Sequence, residues 1–310
     1  MSRSSLARLG LLALLWGSGF LWIKLALRGF PPTQIVLIRL TLGALVLAPI
    51  AVARGLRFPT GRMTWVHLFV AALVANTIPY TLFGVGERTV GSNVAGVINA
   101  TTPLWTVLVA FLAGTDRVVT MRRAVGLTLG FAGTLLIFTP WESASEIASW
   151  GGLACLAAAA SYGISYVYMG RFLTNRGIPP LVLSASQLAA GAVLMLLALP
   201  FGGLIAPDWR LDAVASLLIL GTLGTGLAYV LNYRLIADEG PTIASTTTYL
   251  LPLVAVVLGA LVVSEHVTLA MVAGMLVVLG GVALVQRRTP GTSDKPSEGA
   301  EADSAAHRGS

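Results

Sequence analysis

Ten stretches of this chain stay apolar for about 20 residues each, and short segments carrying Gly, Pro or charge separate them. They run at 9–28, 33–53, 64–84, 90–113, 122–139, 149–169, 180–201, 212–234, 241–263 and 268–286. A stretch of that length crosses a roughly 30 Å hydrocarbon core as an α-helix. A spanning β-strand would instead alternate apolar and polar positions over about ten residues, whereas the runs at 194–199 and 276–279 are apolar throughout. The pattern predicts an all-α membrane protein. Arg3 and Arg8 precede the first stretch as they would in a signal peptide. The apolar character continues to Leu27 with no small-residue cleavage site to close it, so the stretch reads as a spanning helix.

The spans fall into two sets of five. Gly29-Phe30-Pro31-Pro32 recurs as Gly177-Ile178-Pro179-Pro180, Gly43-Ala44 as Gly191-Ala192, and Tyr80 as Tyr229. Pro103 recurs as Pro252, Gly126 as Gly274 and Gly133 as Gly281, so all these pairs lie 148 or 149 positions apart. Gly and Pro dominate the shared set because their backbone roles are hard to replace. The period is far too long for a solenoid. It describes a duplicated half-protein, residues 1–140 and 141–288, and an odd number of passes per half makes the second copy enter from the opposite side. Inverted halves of this kind enclose a central cavity in transporters.

Charge supports the inversion. The chain is only 11% charged, against about 25% in a soluble domain. In a ten-pass arrangement Arg3, Arg8, Arg54, Arg57, Arg62, Arg117, Arg122, Arg123, Arg171, Arg176, Arg234, Arg287 and Arg288 fall on one face, and Arg28, Arg88 and Arg210 on the other. By the positive-inside rule the first face is cytoplasmic, and both termini with it, in a multi-pass protein of the cell membrane. The loop holding Arg117, Arg122 and Arg123 has a repeat partner with Glu265 and His266 and no cation, as inversion requires. The net charge of +7 is therefore topological and does not call for nucleic acid. Residues 289–310 lack any large apolar side chain and read as a disordered cytoplasmic tail. The single Cys155 permits no internal disulfide and fits no metal motif.

Trp16-Gly17-Ser18-Gly19-Phe20 with Lys24, then Pro31-Pro32, Arg39-Leu40 and Ala100-Thr101-Thr102-Pro103, resemble the first half of an EamA-type protein of the drug/metabolite transporter superfamily. Gly126, Gly130 and Gly133 continue the resemblance, and Tyr249-Leu250-Leu251-Pro252, Ser264-Glu265 and Gly274 to Gly281 carry it in the second half. It covers about residues 8–288 and implies ten helices in two inverted halves, a central cavity, and movement of small metabolites, often outward. Gln187 stands where the first half has Arg39, so a charged role at Arg39 has no counterpart.

A transporter of this design binds near the midplane, where helices break. Pro103 and Pro252 lie mid-span, and each releases the carbonyl four residues earlier, at Asn99 and Thr248. Freed carbonyls in hydrocarbon must face protein or a wet cavity. The polar run 242–249, with Thr248 and Tyr249, suits such a cavity or simple helix gluing. Asn76 with Tyr80, and Thr225 with Tyr229, sit four apart on single helical faces and read as two walls of one site. Trp16, Ser18 and Tyr162 are further candidates for solute contact. Two cations fall inside spans. Lys24 is late enough to snorkel to the interface, whereas Arg39 either holds a carboxylate solute or pairs with released carbonyls. The fifth and tenth spans are Gly-rich and suit packing or homodimer contacts.

No H-E-x-x-H, G-x-S-x-G or phosphate loop is present, which argues against an enzyme, and nothing calls for a cofactor. The expected partners are the bilayer and a small-molecule solute. The leading function is secondary transport, with export, of amino acids or related metabolites by alternating access. Efflux of amphipathic drugs is the alternative, and a non-transporting membrane scaffold the third reading. No acidic residue lies near a span centre, so exchange, or coupling without a carboxylate relay, is expected. Reporters fused to each terminus should both read cytoplasmic; one terminus outside would break the inverted arrangement.

Overall fold

The computed structural model describes residues 1–86, 89–90, 92–115, 120–143, 148–201, 204–262 and 268–286. Among the described residues, ten helices are long and apolar enough to cross a membrane. They are, first to tenth, Arg3–Ile23, Pro32–Ala53, Arg62–Gly86, Val94–Leu112, Met121–Phe138, Trp150–Phe172, Pro180–Ala198, Leu211–Glu239, Pro241–Leu258 and Leu269–Gln286. The tail at 289–310, the loop residues Arg88, Arg117, Arg287, Arg288, Glu265 and His266, and the Lys24 side chain lie outside the described residues.

Local chemistry explains several helix starts. The Ser2, Thr120 and Ser149 hydroxyls accept from the backbone N–H groups of Ser5, Arg123 and Gly152 at 3.1, 3.4 and 3.1 Å, capping the first, fifth and sixth spans. Pro32 and Pro180 open the second and seventh spans, where a missing N–H costs nothing. Gly240 takes φ 87° between the eighth and ninth spans, a conformation that suits glycine.

The two halves are bound by contacts that repeat under the half-to-half shift. The fifth and tenth spans pack antiparallel through glycines. A Cβ on Gly126 would stand 2.8 Å from the Gly281 carbonyl oxygen, and one on Gly133 2.7 Å from that of Gly274. Gly126 and Gly133 correspond to Gly274 and Gly281, so each contact is the image of the other. The glycine stripe is thus spent inside one chain. The second and seventh spans cross in the same reciprocal way: a Cβ on Gly43 would meet the Leu188 side chain at 2.8 Å, and one on Gly191 the Leu40 side chain at 3.2 Å. Gly17 packs on Val254 and Gly163 on Trp105, matching first-to-ninth and sixth-to-fourth span contacts.

The third and eighth spans share a second likeness. Each contains a π-helical segment, Leu73–Thr77 and Thr222–Leu227, at corresponding positions. Such segments are rare and concentrate at functional sites.

The breaks in the fourth and ninth spans differ from expectation. The fourth breaks at Ala100 and Thr101, and Pro103 is the second residue of the helix Thr102–Leu112 that follows. The ninth breaks at Thr246, so Pro252 lies within the continuous helix Thr247–Val262. The Ser245, Thr246, Thr247 and Thr248 hydroxyls each donate to the carbonyl three residues earlier, at 2.7–2.9 Å. That back-bonding bends helices, and it consumes hydroxyls that the polarity of this run had offered to a solute.

The largest buried apolar cluster lies toward the face that carries the N-terminus, with Leu9, Leu12, Leu68, Met169, Leu173, Leu235 and Ile236 among its members. Cross-half ties close the same face. Arg8 pairs with Asp238, and the His67 Nδ1 and Tyr168 hydroxyl lie 2.6 Å apart while His67 stacks on Phe172. Toward the opposite face the buried clusters are small, around Phe30 and Leu217 and around Val94 and Cys155.

Adjacent glycines test the fifth–tenth contact. A Cβ on Gly281 would meet the Gly130 nitrogen at 2.5 Å, whereas one on Gly280 meets nothing within 4 Å. G281A should cost about 1–3 kcal/mol by overpacking, read as a lower Tm in detergent, while G280A should hold or raise it.

Candidate functional site

Between the closed face and the opposite one lies a cavity of about 590 Å³, mid-range for a small-molecule site. The first, second, third, fourth, sixth, eighth and ninth spans contribute to its wall. Along the first and third spans the lining residues run from mid-helix, at Leu15 and Ala75, out to Leu27 and Gly84. Along the second they run inward from Pro32 to Arg39. The cavity therefore extends from the midplane toward the face away from the N-terminus.

Of the residues expected to contact a solute, Trp16, Arg39, Tyr80, Asn99, Tyr162, Tyr229 and Thr248 line this cavity. Aromatic edges organise the wall: Trp16 meets Tyr229 with ring centroids 6.3 Å apart, and Tyr80 meets Tyr162 at the same distance. Arg39 is 7% exposed, and its guanidinium carbon sits 4.3 Å from the Tyr80 ring centroid. That cation–π contact partly offsets burial of the charge. Its Nε donates to the Thr225 hydroxyl at 2.9 Å. Among the described residues Arg39 has no carboxylate partner and no carbonyl acceptor.

Asn76 and Thr225 stand behind the wall. Both are fully buried, one in each π-helical segment, and each is gripped by the second span of the other half. Arg39 donates to Thr225, and at the corresponding place Gln187 Nε2 donates to Asn76 Oδ1 at 2.8 Å. Gln187 thus keeps the hydrogen bond of its Arg39 counterpart and drops the charge. The neutral side continues as a chain. The Tyr233 hydroxyl donates to Gln187 Oε1, Asn76 Nδ2 donates to the Tyr229 hydroxyl at 2.6 Å, and that hydroxyl donates to the Ala75 carbonyl at 2.9 Å. Ser161 donates to the neighbouring Val74 carbonyl at 2.7 Å. Second-half side chains therefore satisfy two carbonyls of the first π-helical segment, as a dry interior demands.

Ser18 sits at the break in the first helix and donates to the Leu15 carbonyl at 3.2 Å. Tyr249 is a strut away from the cavity. Its ring fills the space over Gly130, and its hydroxyl donates to the Leu127 carbonyl at 3.0 Å, bracing the ninth span on the fifth. Other lining residues escaped the sequence reading: Phe83, Ser165, Tyr166 and Asn232. The signal for all four was helical spacing, since each follows a singled-out tyrosine, Tyr80, Tyr162 or Tyr229, by three or four positions.

The EamA-like transporter family matches residues 7–139 and again 149–287. The chain belongs to that family. Similar proteins include the uncharacterized transporter YvbV of Bacillus subtilis, 27% identical over 286 residues and 91% of each chain. The uncharacterized inner membrane transporter YedA of Escherichia coli K12 is 26% identical over 251 residues, 80% of this chain and 79% of its own. A solved crystal structure superposes with a TM-score of 0.75 over 92% of this chain and 97% of that one, at 22% identity, which shows a shared fold. This EamA-family protein is accordingly a multi-pass membrane transporter with inverted five-helix halves around a central cavity.

Neighbouring side chains test the buried chain of this EamA-family protein. Q187L would orphan Asn76 Oδ1 and the Tyr233 hydroxyl, each worth about 1–3 kcal/mol when buried unpaired, and should lower the Tm. Ser186 is buried with no partner for its hydroxyl among the described residues, so S186A should leave the Tm unchanged or raise it.

Proposed function

We propose that this chain is a secondary transporter that moves small carboxylate-bearing metabolites, amino acids and related compounds among them, by alternating access, with export as its working direction. One observation carries the reading: Arg39 is buried in the cavity wall, with one bond to a neutral hydroxyl and no acidic neighbour among the described residues. An arginine cannot shed its charge, and an intramembrane cation without a counter-ion suits an anionic cargo. A carboxylate matches the guanidinium fork in shape as well as charge. The aromatic wall of Trp16, Tyr80, Phe83 and Tyr162 suits an apolar body.

The packing supports alternating access. Cross-half contacts close the N-terminal face while the cavity extends toward the other. Taking the termini as cytoplasmic, which the arginine distribution supports, this is an outward-facing arrangement in the cytoplasmic membrane. The described cavity wall contains no Asp or Glu, which favours exchange or facilitated movement over a carboxylate proton relay. Efflux of amphipathic compounds is the second reading, favoured by the same aromatic wall.

Metabolite profiling of cells with and without the protein separates these readings. Carboxylates should accumulate in the medium only with wild-type protein, and R39Q should cut their flux about 10–100-fold, the worth of a charge-assisted hydrogen bond. Export of uncharged amphiphiles that R39Q leaves intact would replace this reading with the second.

A further inference from the structure

Arginine presents a fixed fork of N–H groups, and the fold uses only the ε end of the one at Arg39. Nε donates to the Thr225 hydroxyl at 2.9 Å, and among the described residues neither Nη1 nor Nη2 has a partner. The side-chain atoms sealed from solvent without a partner, such as the Tyr166 hydroxyl and Asn232 Oδ1, include neither of these nitrogens. Both therefore remain accessible, and Arg39 lines the cavity.

Two neighbours fix how that free end is held. The guanidinium lies over the face of the Tyr80 ring, its carbon 4.3 Å from the centroid. Thr225 takes the ε edge and is itself fully buried within the second π-helical segment. Tyr80 belongs to the third span and Thr225 to the eighth, so one group from each half grips the cation. The Tyr80 ring is braced in turn. It meets Tyr162 edge-on with centroids 6.3 Å apart, and Tyr162 stacks on Phe83 at 6.0 Å. An unrestrained arginine side chain samples many rotamers and loses that freedom when it binds. One already pinned at Nε and over an aromatic face has lost much of it beforehand.

We infer that Tyr80 and Thr225 are positioning residues. They hold Arg39 so that Nη1 and Nη2 meet the solute as a pre-set fork, which takes both oxygens of a carboxylate. This rests on the reading of Arg39 as the carboxylate site and adds what makes that site selective. A held fork favours a planar group with two acceptor oxygens over a neutral group of the same shape. The ring of Tyr80 carries its role, not the hydroxyl. Lysine at position 39 would keep the charge and lose the fork.

A carboxylate and its primary amide test the clamp by calorimetry on the purified full-length protein, with 3-phenylpropionate and 3-phenylpropanamide as the pair. They share a shape, but the amide turns an NH2 group on one arm of the fork. Wild-type protein should bind the acid at least about tenfold more tightly than the amide. Y80L should lose at least about threefold of that preference, the worth of a cation–π contact. Y80F keeps the ring and should stay within about twofold of wild type. T225V keeps the shape and drops the acceptor, so it should also lose at least about threefold. R39K should lose most of the preference. The amide controls for damage: a merely structural Tyr80 would weaken both ligands alike in Y80L and leave their ratio unchanged. If Y80L does not fold, T225V and R39K decide. A wild-type ratio in Y80L and T225V, a full ratio in R39K, or a loss in Y80F as large as in Y80L overturns the clamp while leaving the carboxylate site standing. A preference that R39Q leaves unchanged overturns the carboxylate site and the clamp with it, as does wild-type protein that shows no preference or binds neither ligand.

Discussion

The structure depends on two backbone contacts made without side chains. Gly126 faces Gly281 and Gly133 faces Gly274 across the fifth and tenth spans, close enough that a single added carbon would collide with a carbonyl oxygen. In a bilayer, helices gain nothing from hiding apolar surface from one another, because lipid is equally apolar, so close packing has to supply the attraction. The two glycine pairs are images of each other, so one contact geometry satisfies both halves. With these two spans locked together, and the second and seventh crossed in the same reciprocal way, the remaining spans are left to line the cavity.

The same symmetry governs the polar interior, with one deliberate breach. Each half has a π-helical segment in its third span, and the second span of the other half reaches across to hold it, Gln187 on Asn76 and Arg39 on Thr225. One grip is neutral and continues through Tyr233, Tyr229 and the Ala75 carbonyl until every member has a partner. The other ends in a cation without a counter-charge among the described residues. A satisfied polar network makes a rigid wall; an unbalanced charge beside it makes a site. Duplication supplies the scaffold, and the departure from it supplies the chemistry.

Polar side chains near the midplane fall into those the protein uses on itself and those it leaves available. The Ser245–Thr248 hydroxyls bond back to their own helix, Tyr249 braces the fifth span, and Asn76 and Thr225 hold the wall from behind. Tyr166 and Asn232 line the cavity, and the Tyr166 hydroxyl and Asn232 Oδ1 are buried without a partner among the described residues. Polarity marked the first group for attention more strongly than the second, which is why candidate residues chosen by polarity alone mixed lining with support.

The sequence by itself determined the ten spans, the two halves, their inversion and the glycines on which they pack. Each of these follows from a local demand: hydrocarbon excludes polar backbone and side chains over a fixed thickness, loops on the two faces carry different charge, and only glycine admits another backbone at close range. It also marked Arg39, Tyr80 and Tyr229 as unusual for their depth. Only the tertiary structure decided where the fourth and ninth helices break, that the third and eighth contain π-helical turns, and which polar atoms are consumed and which stay free. The reason is range. A hydrogen bond exists or not according to a few tenths of an ångström between side chains such as Asn76 and Tyr229, 153 positions apart, and no pattern along either helix records that distance.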